Sequence, residues 1–250
     1  FFKRWMLQKA DQVISVSEFT RQQLICNSKV DSAKIAVLPN ALDTFFKQPD
    51  LAKTTAYLKK RYGIGAEQVV LLTVARMSSL EQYKGYDAVL EALGRLDNKT
   101  RQQITYILAG RYDTGEYRRI TDLIAKYQLQ DQVQLPGFIE EDELRDHYQL
   151  ADLFLMPSKM EGFGIVLIEA FASGTPVIAG CSDGSAEALR FGELGQLIEP
   201  TNIELLVSVI RGHLQEKANH LVRKGQQYQL AYEYYSPQVY KKRFKTIALS

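Results

Sequence analysis

The stretch LFLMPSKMEGFGIVLIEAFASGTPVIAG, Leu153–Gly180, decides the fold. It opens with an apolar, strand-like run, Leu153–Met156, and passes through a loop holding Glu161, Gly162, Phe163 and Gly164. A helix-like segment from Phe163 to Ser173 follows, and a second apolar strand, Val177–Ala179, closes it. Strands that are apolar at nearly every position fit a parallel sheet covered on both faces. The stretch also carries two carboxylates, Glu161 and Glu169, and Glu169 is the only charge in its helical part. A buried, unpaired carboxylate is costly, so each needs a partner or a job.

The same pattern extends outward. Strand-like runs occur at Gln12–Val16, Ile35–Pro39, Val69–Ala75, Ile104–Ala109, Val133–Leu135 and Gln196–Ile198. Amphipathic helical patterns lie between them at Asp87–Leu96, Tyr117–Leu129, Glu141–Leu150 and Ile203–Leu214. This alternation predicts a doubly wound α/β fold with a Rossmann-like parallel sheet. A polar stretch, Lys53–Lys60, suggests a boundary. Residues 1–46 then read as the tail of a preceding domain plus a linker, 47–235 as the main domain, and 236–250 as a terminal helix begun by Ser236-Pro237.

Composition narrows the classes. In 250 residues, 46% are apolar and 24% charged, with a formal net charge of +2. That balance argues against a nucleic-acid binder, and the basic run Lys241–Lys245 reads as a solvated helix face. Two distant cysteines, Cys26 and Cys181, suggest a reducing, cytoplasmic setting and no disulfide scaffold. No run is long enough to span a membrane. The chain opens without an initiator Met or leader, as though cut from a longer protein.

In open parallel sheets, ligands bind beyond the carboxyl ends of the strands. Arg76 directly follows the strand Val69–Ala75, with Lys84 eight residues on. The Glu161 loop follows Leu153–Met156. Glycines at a helix start let backbone N–H groups approach an anion, so this loop with converging Arg76 and Lys84 suits a diphosphate. Counted from Phe163, Glu169 lies about 9 Å along a helix, where its carboxylate could accept from a ribose, while Glu161 flanks the position of a sugar on the distal phosphate. Structural alternatives exist. Ser158 and Glu161 match a capping box, and Glu169 could neutralise a core Arg. His147, His213 and His220 fall in helical patterns that suit packing, as do the tyrosines of QQYQLAYEYYSPQVY. No GxGxxG or Walker A sequence is present.

These residues resemble the family-4 glycosyltransferases, retaining enzymes of the GT-B fold. The resemblance rests on ADQVISVSEFTRQQL, IAVLPNALD, VARMSSLEQYKGYDAVLEAL, YILAGRYD, EGFGIVLIE with its E-x7-E spacing, and GELGQLIEP, in the family's order. It implies a C-terminal donor-binding half for a nucleotide-diphospho-sugar, UDP- or GDP-linked, with no other cofactor and no metal. Arg76 and Lys84 would bind the diphosphate and stabilise its charge. Glu161 would hold the sugar and, with Arg76 and Lys84, act in catalysis through positioning and electrostatic support; Gly162, Phe163, Gly164 and Ile165 would line the phosphates and sugar. Glu169 would hold the ribose, and Phe138 and Ile139 would lie against the base. The acceptor, a glycan, lipid or small molecule, and any peripheral membrane association would belong to an absent N-terminal half, so weak turnover is expected from these residues alone. Two departures stand out: Ala41 where the family usually has Gly, and Asp183-Gly184 where Gly-Gly is common. A non-catalytic nucleotide-sugar-binding module and a nucleotide-sugar hydrolase or isomerase are the competing readings; paired carboxylates also serve glycosidases.

Overall fold

Six strands pair in parallel, in the spatial order 133–137, 104–109, 69–74, 153–156, 177–180 and 196–198. The computed structural model describes residues 2–44, 46, 55–215 and 224–249. The sheet strands are β3 (Val69–Val74), β4 (Ile104–Ala109), β5 (Val133–Gly137), β6 (Leu153–Met156), β7 (Val177–Gly180) and β8 (Gln196–Ile198). Ahead of them come α1 (Phe2–Lys9), β1 (Val13–Ser15), α2 (Glu18–Ser28), β2 (Ile35–Val37) and α3 (Ala56–Arg61). The remaining helices are α4 (Tyr86–Gly94), α5 (Asn98–Arg101), α6 (Thr114–Lys126), α7 (Glu141–Leu150), α8 (Ile165–Ala172), α9 (Gly184–Ala188), α10 (Ile203–Gln215), α11 (Lys224–Tyr235) and α12 (Pro237–Ala248).

Alternate residues of a strand face opposite sides, and β3 uses both. Val70 and Leu72 enter one core with Tyr148 of α7, Leu167 and Ile168 of α8 and Ala231 of α11. Val69 and Leu71 enter the other with Val89 and Leu90 of α4, Ile120 of α6 and Ile210 of α10. Helices thus cover both faces, which is why the strands can be apolar throughout. The chain winds outward from β3 to β5, then returns to place β6 on the other side of β3. That reversal opens a crevice beyond the carboxyl ends of β3 and β6.

The structure amends the expected elements at several points. Residues 13–37, read in sequence as part of a domain tail and linker, form their own parallel β1–α2–β2 unit around Val13, Val30 and Ile35. The part of the polar stretch that is described is helical, α3, with Leu58 buried; the boundary after residue 46 abuts residues 47–54, outside the described residues, as does His220. The helix after β6 starts at Ile165, not Phe163, because Gly164 is left-handed at φ 81°. Ser236 caps α12, accepting from the Val239 N–H at 3.4 Å. Ala41 is not left-handed. No helix among the described residues is long and apolar enough to cross a membrane.

Candidate functional site

The loop between β6 and α8 is shaped by its glycines and by one buried acid. A Cβ on Gly164 would lie 2.7 Å from Leu167 Cδ1, so glycine satisfies both the backbone angle and the packing. Asp183, buried at the start of α9, accepts from the Glu161 N–H at 2.6 Å, Ser158 Oγ at 2.7 Å and the Ser185 N–H at 2.9 Å. Gly184 returns its N–H to the Glu161 carbonyl at 2.8 Å, and a Cβ there would sit 2.1 Å from Gly162 O. The Asp183-Gly184 departure is therefore the clamp that holds the loop. It also removes the capping-box alternative: Ser158 serves Asp183, and the helix begins four residues after Glu161.

The loop after β3 is anchored on α6. Asp113 caps that helix and accepts from the Glu116 N–H and the Ser79 N–H at 2.8 Å each, which pulls its pKa down to about 2. Glu116 is wholly buried and takes Tyr86 Oη at 2.7 Å and Gln82 Nε2 at 3.2 Å. Burial alone would raise its pKa, but Arg119 and Tyr86 outweigh that and leave it lowered. Lys159 N–H closes the two loops together on the Tyr83 carbonyl at 2.9 Å.

Between these loops, Lys84 Nζ meets Glu161 Oε2 at 2.7 Å, both side chains 16% exposed. The expected cation and carboxylate are thus brought together, as each other's partner. Arg76 is not drawn into this pair. Its side chain is 69% exposed and turned to Glu81, because an exposed guanidinium takes the nearest carboxylate on its own loop. The amides of Gly162, Phe163 and Gly164 take no acceptor among the described residues. Ile165, at the first position of α8, is exposed.

Glu169 lies four residues into α8, about 6 Å along the axis. It is partnered by Tyr148 Oη at 2.9 Å, not by a core Arg. Burial raises its pKa to about 7, and Asp43 and Glu141 push it the same way. Burial thus moves the titration of the expected carboxylate toward neutral pH. Phe138 and Ile139 line a cavity of about 260 Å³ with Val74, Gly110, Arg111 and Val166, and the Arg111 guanidinium lies over the Phe138 ring at 4.4 Å. A larger cavity of about 520 Å³ opens at the opposite, N-terminal ends of β7 and β8, beside Glu193 and His213, and no Lys or Arg among the described residues lines it.

Tyr148 and Arg111 went unnoticed in sequence, and Asp183 stood out only as a departure from the family's pattern, without a role. Their signals were weak: an acid in a glycine pair, an aromatic in an amphipathic helix, an Arg after a strand. His147 is a packing residue, bonded to Tyr62 Oη and the Glu143 carbonyl at 2.8 Å each. Of the tyrosines, Tyr235 packs on Phe163 and donates to the Ala188 carbonyl at 2.9 Å. No group of three or more His, Cys, Asp or Glu among the described residues could hold a metal ion.

The family model described as glycosyl transferases group 1 matches residues 56–228, and that of glycosyltransferase family 4 matches residues 1–45. A GDP-mannose-dependent alpha-(1-6)-phosphatidylinositol monomannoside mannosyltransferase of Mycobacterium tuberculosis H37Rv is 31% identical over 208 residues, covering 80% of this chain and 51% of the relative. The chain spans about half the length of the curated relatives it matches. Among solved structures, Anabaena Alr3699/HepE in complex with UDP and glucose superposes with a TM-score of 0.84 at 21% identity, covering 100% of this chain and 66% of that one. Sucrose-phosphate synthase from Thermosynechococcus elongatus gives 0.77 at 27% identity, covering 99% and 61%. A family model covering most of the chain, on a fold shared with these structures, shows that this protein belongs to the family-4, group 1 glycosyltransferases of the GT-B fold.

Proposed function

We propose that this chain carries the donor site of a retaining glycosyltransferase that moves a hexose or hexosamine from a nucleotide-diphospho-sugar to a glycan, lipid or small-molecule acceptor. The observation that carries the reading is the Lys84–Glu161 pair beside the Gly162–Gly164 amides, at the crevice between β3 and β6. The base would lie in the cavity at Phe138, Ile139 and Arg111, and the ribose on Glu169. The diphosphate would take Lys84, Arg76 and the loop amides, and the sugar hydroxyls Glu161. The acceptor oxygen would attack the anomeric carbon on the face that the diphosphate leaves, and a diphosphate oxygen would take its proton. Lys84, Arg76 and the amides would stabilise the charge that grows on the leaving group. The mycobacterial relative's dependence on GDP-mannose favours a GDP-linked hexose as the first donor to try. Donor binding is the part of this activity that the chain itself can test.

The test is a thermal-shift panel of GDP-mannose, GDP, UDP-glucose, UDP and ADP-glucose, since a ligand that binds only the folded state raises the midpoint. One nucleotide series is expected to shift the wild type by several degrees. Lys84→Ala should weaken that ligand by about tenfold to a hundredfold, as expected for losing a hydrogen bond to a charged group. A panel without any shift overturns the reading, and a shift untouched by Lys84→Ala and Glu169→Ala overturns the residue roles.

A further inference from the structure

The carbonyl of Gly162 is held by two hydroxyls from a distant part of the chain. Ser17 Oγ donates to it at 2.5 Å and Thr20 Oγ1 at 3.1 Å. Ser17 is fully buried, and its Oγ also accepts the Thr20 N–H at 2.9 Å, capping α2. The docking is reinforced from α9, where Glu187 accepts the N–H groups of Glu18 and Phe19 at 2.7 Å each. Gly162 itself lies close against this segment: a Cβ on it would meet Thr20 Oγ1 at 3.4 Å and Val16 Cγ2 at 3.9 Å.

In a planar trans peptide the C=O and the following N–H point in opposite directions, and the described residues contain no cis peptide. Holding the Gly162 carbonyl on α2 therefore turns the Phe163 N–H away from α2. The Phe163 ring is buried edge-on against Tyr235, 5.8 Å between centroids, so the residue is fixed at its other end as well. We propose that Ser17 and Thr20 are positioning residues: their hydroxyls set the Gly162–Phe163 peptide so that its N–H is presented to the donor's diphosphate. The inference rests on the donor-site reading and adds that residues outside the six-stranded sheet control its grip on phosphate. A shift of the β1–α2–β2 unit against the sheet would release that peptide.

The test compares nucleoside diphosphates with their own nucleosides, because the hydroxyls should matter to one and not the other. UDP, GDP, uridine and guanosine are titrated by ligand-observed NMR into the full chain, as wild type, Thr20→Val, Ser17→Ala/Thr20→Val and Thr20→Ser. The double variant is expected to lose about tenfold in diphosphate affinity and Thr20→Val about threefold. Nucleoside affinity should stay within about twofold, and Thr20→Ser should restore diphosphate binding. Thr20→Val keeps the α2 cap and the shape of the side chain, so it reports even if the double variant fails to fold. Equal losses for diphosphate and nucleoside, or no loss for either, overturn the proposal while leaving the donor site standing. A wild type that binds none of the four overturns both.

Discussion

Glu169 accepts from Tyr148 through one carboxylate oxygen, and burial, helped by Asp43 and Glu141, lifts its pKa from 4.5 to about 7. The folded protein keeps a proton there that the unfolded chain has released. Between pH 4.5 and about 7, stability should therefore fall as pH rises, and it should level off above that window. Glu169→Gln keeps an acceptor for Tyr148 and has no charge to bury. Urea denaturation should show the variant gaining on the wild type across this window, by on the order of 3 kcal/mol at pH 8. A stability difference that does not change with pH would contradict the burial account. Donor binding should move the opposite way, since a ribose hydroxyl donates best to the ionised form: affinity should rise as pH passes through about 7.

Asp183 shows how an element can hold a neighbouring loop in shape. Its carboxylate caps α9 and at the same time takes the Glu161 N–H and Ser158 Oγ. Asp183→Ala should cost about 3 kcal/mol in urea denaturation, since it leaves these donors without their acceptor in a buried place. The strands, and half of the described α-helices, were legible because apolar runs and 3.6-residue patterns report burial directly. Glycines and isolated charges marked the candidate site, and the structure gathers Lys84, Glu161 and the Gly162–Gly164 loop at one crevice. What sequence did not reveal was pairing. Nothing in the spacing shows that Lys84 meets Glu161 while Arg76 turns to Glu81, because those choices depend on how two loops approach in space. The start of α8 was misplaced for a similar reason, as an apolar Phe163 extends the helical pattern past the left-handed Gly164.

At the scale of the whole molecule, the β1–α2–β2 unit has its own small core and is tied to the sheet domain by the Ser17, Thr20 and Glu187 hydrogen bonds as well as by Val16 packing. Glu187→Ala should loosen that tie, leaving two α2 amides without their acceptor. Hydrogen exchange in residues 13–37 should then quicken by about tenfold while β3 to β8 stay protected. Uniform quickening would mean that the unit and the sheet open together. The Lys84–Glu161 pair spans the sheet's own midline, since its two loops follow neighbouring strands from either half of the winding. On the proposed reading, a sugar nucleotide takes both partners at once and leaves neither charge stranded. The spent nucleoside diphosphate would satisfy Lys84 but strand Glu161, so after each transfer the pair would re-form and help expel the product. Turnover would then draw part of its product discharge from an ion pair that the empty site already contains. Calorimetry that finds the nucleoside diphosphate binding more weakly than its sugar-bearing parent would bear this out.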